Sequence, residues 1–215
     1  MDFDMIARYA PLLLQGLWAT IYITALASVI AIGLGLAVSL LNATPFRAMR
    51  WLCRIYIEAM RGTPILIILF IIYYGGPSIG FTFDAEPTGI IGLGIYGGGY
   101  FAEIFRAGFQ SIPEGHIEAA QMLGIPKSRI ITRIKIPQML TLIIPPVTNQ
   151  VILLLKESAV LSIITVAELT KNTTGMVAET FAVVEPYVIV ALLYWAVVES
   201  ISFLGRYLER KISYA

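Results

Sequence analysis

From Pro11 to Leu41 the chain runs for 31 residues without one charged side chain. About 20 mostly apolar residues already suffice for a helix to cross hydrocarbon, so this stretch belongs in a bilayer or in an unusually long core helix. The remaining composition decides for the bilayer: 58% of the 215 residues are hydrophobic and only 13% charged, against roughly 45–50% and about 25% in soluble domains. Backbone groups facing lipid must be satisfied within helices or closed barrels. Long apolar runs without alternation read as helices, and the expected class is an all-α membrane protein.

Four further stretches approach span length. Trp51 to Tyr74 is broken by Glu58, Arg61 and Pro64; Gly89 to Ala107 carries Glu103 and Arg106; Ile136 to Leu155 carries Pro145 and Pro146; Tyr187 to Leu208 carries Glu199. The first stretch exceeds one bilayer thickness, so part of it is expected to tilt or to rest at the interface near Trp18 and Tyr22. Residues 158–185 hold an apolar run too short to span and read as a partial insertion or surface helix. The sum is five transmembrane helices in a single domain, 1–215. Asp2 and Asp4 replace a basic n-region, so no cleavable signal peptide is expected. With no internal repeat visible, the symmetry of a pore has to come from a second subunit.

One island of mixed charge, Ser111 to Pro137, interrupts the hydrocarbon. Ser111 with Glu114 three residues later reads as a capping box, and Pro113 fits the first helical turn. A short helix is expected from there, with Ile117, Ala120 and Leu123 on one stripe. Gly124 should cap it in the left-handed conformation, and Pro126 forbids continuation. A basic segment follows and ends at Pro137. If this island is cytoplasmic, 11 of the 15 Lys and Arg fall on that side or at its edge, leaving Arg8, Arg61, Lys156 and Lys171. Positive charge marks the inside, which predicts an outside N-terminus and a cytoplasmic C-terminus.

Glu118-Ala119-Ala120, then Gly124, then Ile134-x-Ile136-Pro137 resembles the EAA loop of ABC-importer permeases. Arg61-Gly62-Thr63-Pro64 is similar to a signature of the amino-acid permeases, as are the runs Tyr100 to Gly108, Gln110 to Pro113 and Lys156-Glu157-Ser158. There are departures: Glu157-Ser158-Ala159 stands where the family usually shows an Asp-Thr/Ser-Ser type run, and Gly97-Gly98-Gly99 replaces an Ala-containing approach to the tyrosine. The resemblance covers nearly the whole chain. It implies the type I ABC-importer permease fold in a bacterial cytoplasmic membrane, moving polar or charged amino acids by alternating access. It also implies a cytoplasmic ATPase docked on a coupling loop at about 111–137 (Glu118, Ala119, Ala120, Gly124), a second permease in a homo- or heterodimer, and an extracytoplasmic substrate-binding protein. No Gly-x-x-x-x-Gly-Lys-Ser/Thr loop is present, so ATP and Mg are expected on the partner ATPase, with no cofactor and no catalysis in this chain.

Charges inside spans are the candidates for chemistry. Each costs ~2.5–3.5 kcal/mol at the bilayer centre, so Glu58, Arg61 and Glu103 facing lipid would together cost on the order of 8–10 kcal/mol. They are expected to face an interior. Glu58 with Arg61 and Glu103 with Arg106 stand three apart and can pair locally; the same charges can also form a site for a zwitterion. Pro64 and Gly62 free backbone groups beside Arg61, which is tolerable only against a cavity. The expected substrate contacts are Glu103 for an amino or basic group and Arg61 and Lys156 for a carboxylate, with Asn149, Glu157 and Ser158 as further candidates. Gly92-x-Gly94-x-x-Gly97 formally matches a dinucleotide fingerprint but lies inside a span, where close helix packing is the better reading. Cys53 and His116 supply no zinc set, and Asn172-Thr173-Thr174 fits a sequon that matters only in a eukaryotic secretory pathway. A net charge of +1 gives no reason to expect nucleic acid; the surroundings are membrane lipid. Rival readings are an ion- or proton-coupled secondary transporter, an intramembrane hydrolase and a structural membrane subunit.

Overall fold

The computed structural model describes residues 3–213, and among them all regular structure is helical. Helix α1 (Phe3–Asn42) is a single helix of 40 residues, ~60 Å long at 1.5 Å per residue. Helix α2 (Arg47–Gly62) follows a four-residue turn and ends where Pro64 forces Thr63 into an extended conformation (φ −109°, ψ 131°). The chain there bends through 108° into α3 (Ile65–Phe70), which continues as a π turn and a 3-10 turn. The stretch Trp51 to Tyr74, expected as one interrupted span, is thus two helices meeting at a corner. Pro64 has no N–H to donate to the ladder and disfavours a helical predecessor, and here no displaced turn absorbs it.

Helix α4 (Ala85–Gln110) is the centre of the molecule. Its glycines at 89, 92, 94, 97, 98 and 99 are all buried, together with Leu93, Phe101, Ala102 and Phe105. Helix α1 lies along it so closely that a Cβ on Gly35 would stand 2.8 Å from the backbone nitrogen of Ala102. Gly94 faces Ile30, and Gly97 faces Ala31 and Leu154. The glycine run is therefore a packing surface in mid-helix, and the nucleotide fingerprint is a coincidence of spacing. Tyr56 of α2 fastens to the same helix by donating to the Ile95 carbonyl at 2.6 Å.

The polar island begins differently from its sequence expectation. Ser111 closes α4, its hydroxyl donating to the Gly108 carbonyl at 2.9 Å, and makes no capping box. Pro113, with extended φ and ψ, occupies the N-cap position instead, and α5 (Glu114–Met122) starts one residue later. At its other end Gly124 is left-handed (φ +71°). The N–H of Ile125 reaches the Ala120 carbonyl and that of Gly124 the Gln121 carbonyl, a Schellman closure. On the expected stripe Ala120 is buried and Ile117 half-buried, whereas Leu123 is 79% exposed. Pro137 also ends nothing. Helix α6 (Lys127–Ile130), a π turn (Ile131–Lys135) and α7 (Ile136–Glu157) form one helical path. The displaced ladder of the π turn accommodates a proline that has no N–H to give.

Residues 158–185, too short to span, form a 3-10 segment (Ser158–Ile164) and α8 (Leu169–Thr180). Glu168 is fully buried and caps α8, accepting from the N–H groups of Thr170 (2.8 Å) and Lys171 (2.7 Å). Tyr194 of α9 (Val184–Ser213) donates to the same carboxylate at 3.2 Å. Thr20 of α1 accepts from the Leu169 N–H, and Asn172 donates to the Leu12 carbonyl. Polar bonds therefore tie α8 to both flanking helices. By length and apolarity three stretches among the described residues can cross a membrane, Met5–Asn42, Lys127–Ile164 and Val184–Ile212, and a fourth if the bent α2–α3 pair is one span. Helix α4 is long enough at 26 residues, but it is glycine-rich because it faces protein.

Candidate functional site

The corner at Thr63-Pro64 places Arg61 on the last turn of α2, opposite the polar face of α4. Glu103 and Arg106 stand on that face, one turn apart, because α4 continues helically past its buried glycine stretch. Arg106 grips Glu103 with two parallel bonds, Nε to Oε2 at 2.9 Å and Nη2 to Oε1 at 2.5 Å, the strong bidentate form of this pair. Arg61 approaches the same carboxylate at 3.9 Å and lies against the Tyr100 ring at 5.9 Å. The expected pair Glu103–Arg106 is thus formed. Glu58 and Arg61 form no ion pair among the described residues; Arg61 turns to Glu103 instead.

Arg61, Tyr100 and Glu103 line a cavity of about 490 Å³ with Ile104, Ala107, Leu142, Pro146 and Gln150, within the range of roughly 300–1,000 Å³ that holds small ligands; Arg106 holds Glu103 from outside that lining. Two guanidiniums share one carboxylate, so the cluster is one positive charge in excess. Arg61, 47% exposed and held only by a long contact, is the group with most capacity to take a carboxylate. Glu103 spends part of its accepting capacity on Arg106, although a carboxylate has about four lone-pair positions and its side chain is 30% exposed. The cavity therefore offers a cation and a partly engaged anion on one wall, with apolar surface opposite.

The other expected substrate contacts lie elsewhere. Lys156 is exposed, Glu157 half-buried and Asn149 exposed, and none lines this cavity. Ser158 is fully buried, its hydroxyl donating to the Leu155 carbonyl at 2.7 Å. Gln150, neighbour of Asn149, is 5% exposed and does line it. Nothing in the sequence separates 149 from 150, because register around Pro145-Pro146 is set by packing against α4. Glu168 was also missed: Glu is a poor N-cap by propensity, and only burial reveals its role. On α5, Glu118 and Ala119 are exposed, Ala120 is buried and Gly124 closes the helix, while Met122 (90%) and Leu123 (79%) project outward. His116 links α5 to α7 through Gln138 at 3.1 Å.

Known proteins share both this sequence and this arrangement of helices. The arginine transport system permease protein ArtQ of Bacillus subtilis (strain 168) is 32% identical over 213 residues, covering 99% of this chain and 97% of that protein. The probable glutamine ABC transporter permease protein GlnM of the same organism is 35% identical over 195 residues, 89% of this chain and 90% of that one. A crystal structure of an amino acid ABC transporter with histidines superposes with a TM-score of 0.91 at 35% identity, covering 98% of this chain and 99% of that chain. The MetNI methionine ABC transporter, inward facing, shares the fold at a TM-score of 0.81 and 20% identity. Residues 29–214 match the family described as the binding-protein-dependent transport system inner membrane component. With most of its length inside that match, this chain is a member of the family and a component of a bacterial inner membrane.

Proposed function

We propose that this chain is the permease subunit of an ATP-driven importer that moves polar or charged amino acids across the cytoplasmic membrane by alternating access. The observation that carries the substrate class is the pair Arg61 and Glu103 on one wall of a cavity of amino-acid size, with Arg106 holding the Glu103 carboxylate from behind. Arg61 takes the substrate carboxylate, and Glu103 takes the amino or basic group with the lone pairs that Arg106 leaves free. Relatives named for arginine and glutamine transport agree with such a cargo.

In this reading five spans are formed by α1, the bent pair α2–α3, α4, the α6–α7 path and α9. The N-terminus lies outside, and the polar hairpin and C-terminus lie in the cytoplasm, following the distribution of basic residues. Helix α5 is the coupling element. Its exposed Met122 and Leu123 beside Glu118 and Ala119 give it an apolar tip for a groove on a separate cytoplasmic ATPase, and the continuous path from α6 into α7 carries displacement toward the cavity. A second permease completes the pathway, an extracytoplasmic binding protein delivers substrate, and ATP and Mg belong to the ATPase. Nucleotide and substrate must favour different global states for the two to be coupled.

Uptake of labelled amino acids by cells producing the assembled transporter tests this reading. Loss of uptake on ATP depletion, or vanadate inhibition in inside-accessible vesicles, with insensitivity to an uncoupler in vesicles supplied with ATP, is the expected result. Uptake that collapses with the uncoupler and needs no ATPase partner would instead identify an ion-coupled secondary transporter.

A further inference from the structure

A second, larger cavity of about 1130 Å³ adjoins the first, between the end of α1, one face of α2, the end of α4 and the π turn before α7. Its charge is one-sided. Arg50, Arg54, Arg61, Arg106 and Lys135 line it against Glu58 and Glu103 alone, leaving three positive charges in excess. Glu103 already serves Arg106 and Arg61. Among the described residues, Arg50, Arg54 and Lys135 make no ion pair at all, although Arg50 and Lys135 are half-buried.

The remainder of the wall is hydrocarbon: Leu36 and Leu40 of α1, Phe109 of α4, and Ile131, Ile136 and Met139 on the path into α7. Cations gathered from three separate elements beside apolar walls lose part of their hydration and call for a counter-charge. A free inorganic anion would satisfy the guanidiniums and leave the apolar walls wet. An amphiphile satisfies both. Helices α1 and α4 reach the cavity with their ends and the path into α7 with its π turn, while α2 runs along it from Arg50 to Arg61; helix ends and turns are where a membrane interface places headgroups. Exposed Phe46, Met49 and Trp51, at the start of α2, add the apolar and aromatic character of an interfacial segment.

We propose that this cavity holds the phosphate headgroup of an anionic phospholipid, with Arg50, Arg54 and Lys135 on the phosphate and the first acyl carbons against Leu36, Leu40 and Ile136. Basic pockets between membrane helices bind such headgroups. The two cavities share Arg61 and Glu103 in their walls, so the lipid site backs directly onto the one described above. It requires only that these helix ends share one interface, and its test reads lipid retention, which is independent of transport, of cargo and of the ATPase.

The experiment is native mass spectrometry of the purified full-length chain after exchange into detergent with defined phosphatidylglycerol or phosphatidylcholine. The wild type retains phosphatidylglycerol and loses phosphatidylcholine. At about fivefold per basic residue, the triple change Arg50→Gln, Arg54→Gln, Lys135→Gln lowers retention on the order of 100-fold. The charge-preserving pair Arg50→Lys, Arg54→Lys keeps the lipid, which ties retention to charge at these positions, and an unchanged melting temperature of the triple variant in the same detergent separates its loss of lipid from misfolding. The pair Arg210→Gln, Lys211→Gln, equally basic but outside the cavity, also keeps it. Equal retention by the triple variant and the wild type overturns the proposal. Displacement of the lipid by millimolar glycerol phosphate overturns the choice of a lipid over a free phosphate, and retention in its presence supports that choice.

Discussion

Replacing Glu168 by Ala removes a buried carboxylate that caps α8 and joins it to α9, and its cost follows from the bonds that it makes. The N-cap bonds to Thr170 and Lys171 contribute about 1 kcal/mol by comparison with other caps. The bond from Tyr194 to a charged acceptor contributes roughly 1.5–3 kcal/mol. Tyr194 keeps a second partner in the Thr170 hydroxyl at 3.1 Å, so its own group is not orphaned and the lower end of that range applies. Truncation also leaves a void at a fully buried position. Against these losses stands relief from burying a carboxyl whose pKa is pushed upward by that same burial. A net destabilisation of about 2 kcal/mol is expected, which lowers the apparent melting temperature by ~4–8 °C on the scale of chains this size. Differential scanning fluorimetry in detergent, following tryptophan, measures it. Tyr194→Phe alone should cost ~1 kcal/mol, and the double variant should cost less than the sum of the two singles because the shared bond is lost only once. Strict additivity, or a Glu168→Ala protein that melts with the wild type, would refute the role given to this carboxylate.

Other outcomes follow from the same structure. Because burial raises the Glu168 pKa above its ordinary 4.5, the folded state holds this proton more tightly than the unfolded state; stability from this group is fully present below 4.5 and declines as pH rises through the raised value, and a pH series of melting temperatures should show that component vanish in Glu168→Gln. Glu103→Gln keeps the shape but breaks the bidentate grip of Arg106; uptake should fall by at least about tenfold while co-purification with partner subunits is unchanged, on the ~1.4 kcal/mol per tenfold scale. Gly35→Ala brings a methyl within 2.8 Å of the α4 backbone, where nothing flexible can yield, and should lower stability by about 1–3 kcal/mol in the same melting assay. Gly124→Leu forces a side chain into φ +71° at ~1–2 kcal/mol, loosening the end of α5; pull-down of an ATPase should weaken more than the permease itself destabilises.

Much of this architecture is legible because long hydrocarbon runs leave an unambiguous trace. The apolar runs located α1, α7 and α9, Gly124 announced its left-handed turn, and the charges at 61 and 103 announced an interior. Local rules misled where two neighbours competed for one role. Ser111 and Pro113 both suit a helix start, and the start falls to the proline because Ser111 is spent on closing α4, with its hydroxyl on the Gly108 carbonyl. Pro137 reads as a terminator, yet the π turn before it absorbs the missing donor. The cavity partners of Arg61 were only half visible: Glu103 is one turn from Arg106 and easily paired on paper, while Gln150 comes from a helix whose rotation is fixed by the Gly108–Ile143 contact. Rotation of one helix about its axis is a tertiary quantity, and a pattern along one strand of sequence does not contain it.

The glycine-lined surface of α4 bears on how the chain meets the bilayer. Its sequence presents glycine, tyrosine, two glutamates and an arginine, and it is not oily enough to count as a crossing segment alone, whereas α1, which covers its glycines, is. The outer helix thus supplies the hydrocarbon that the enclosed one lacks.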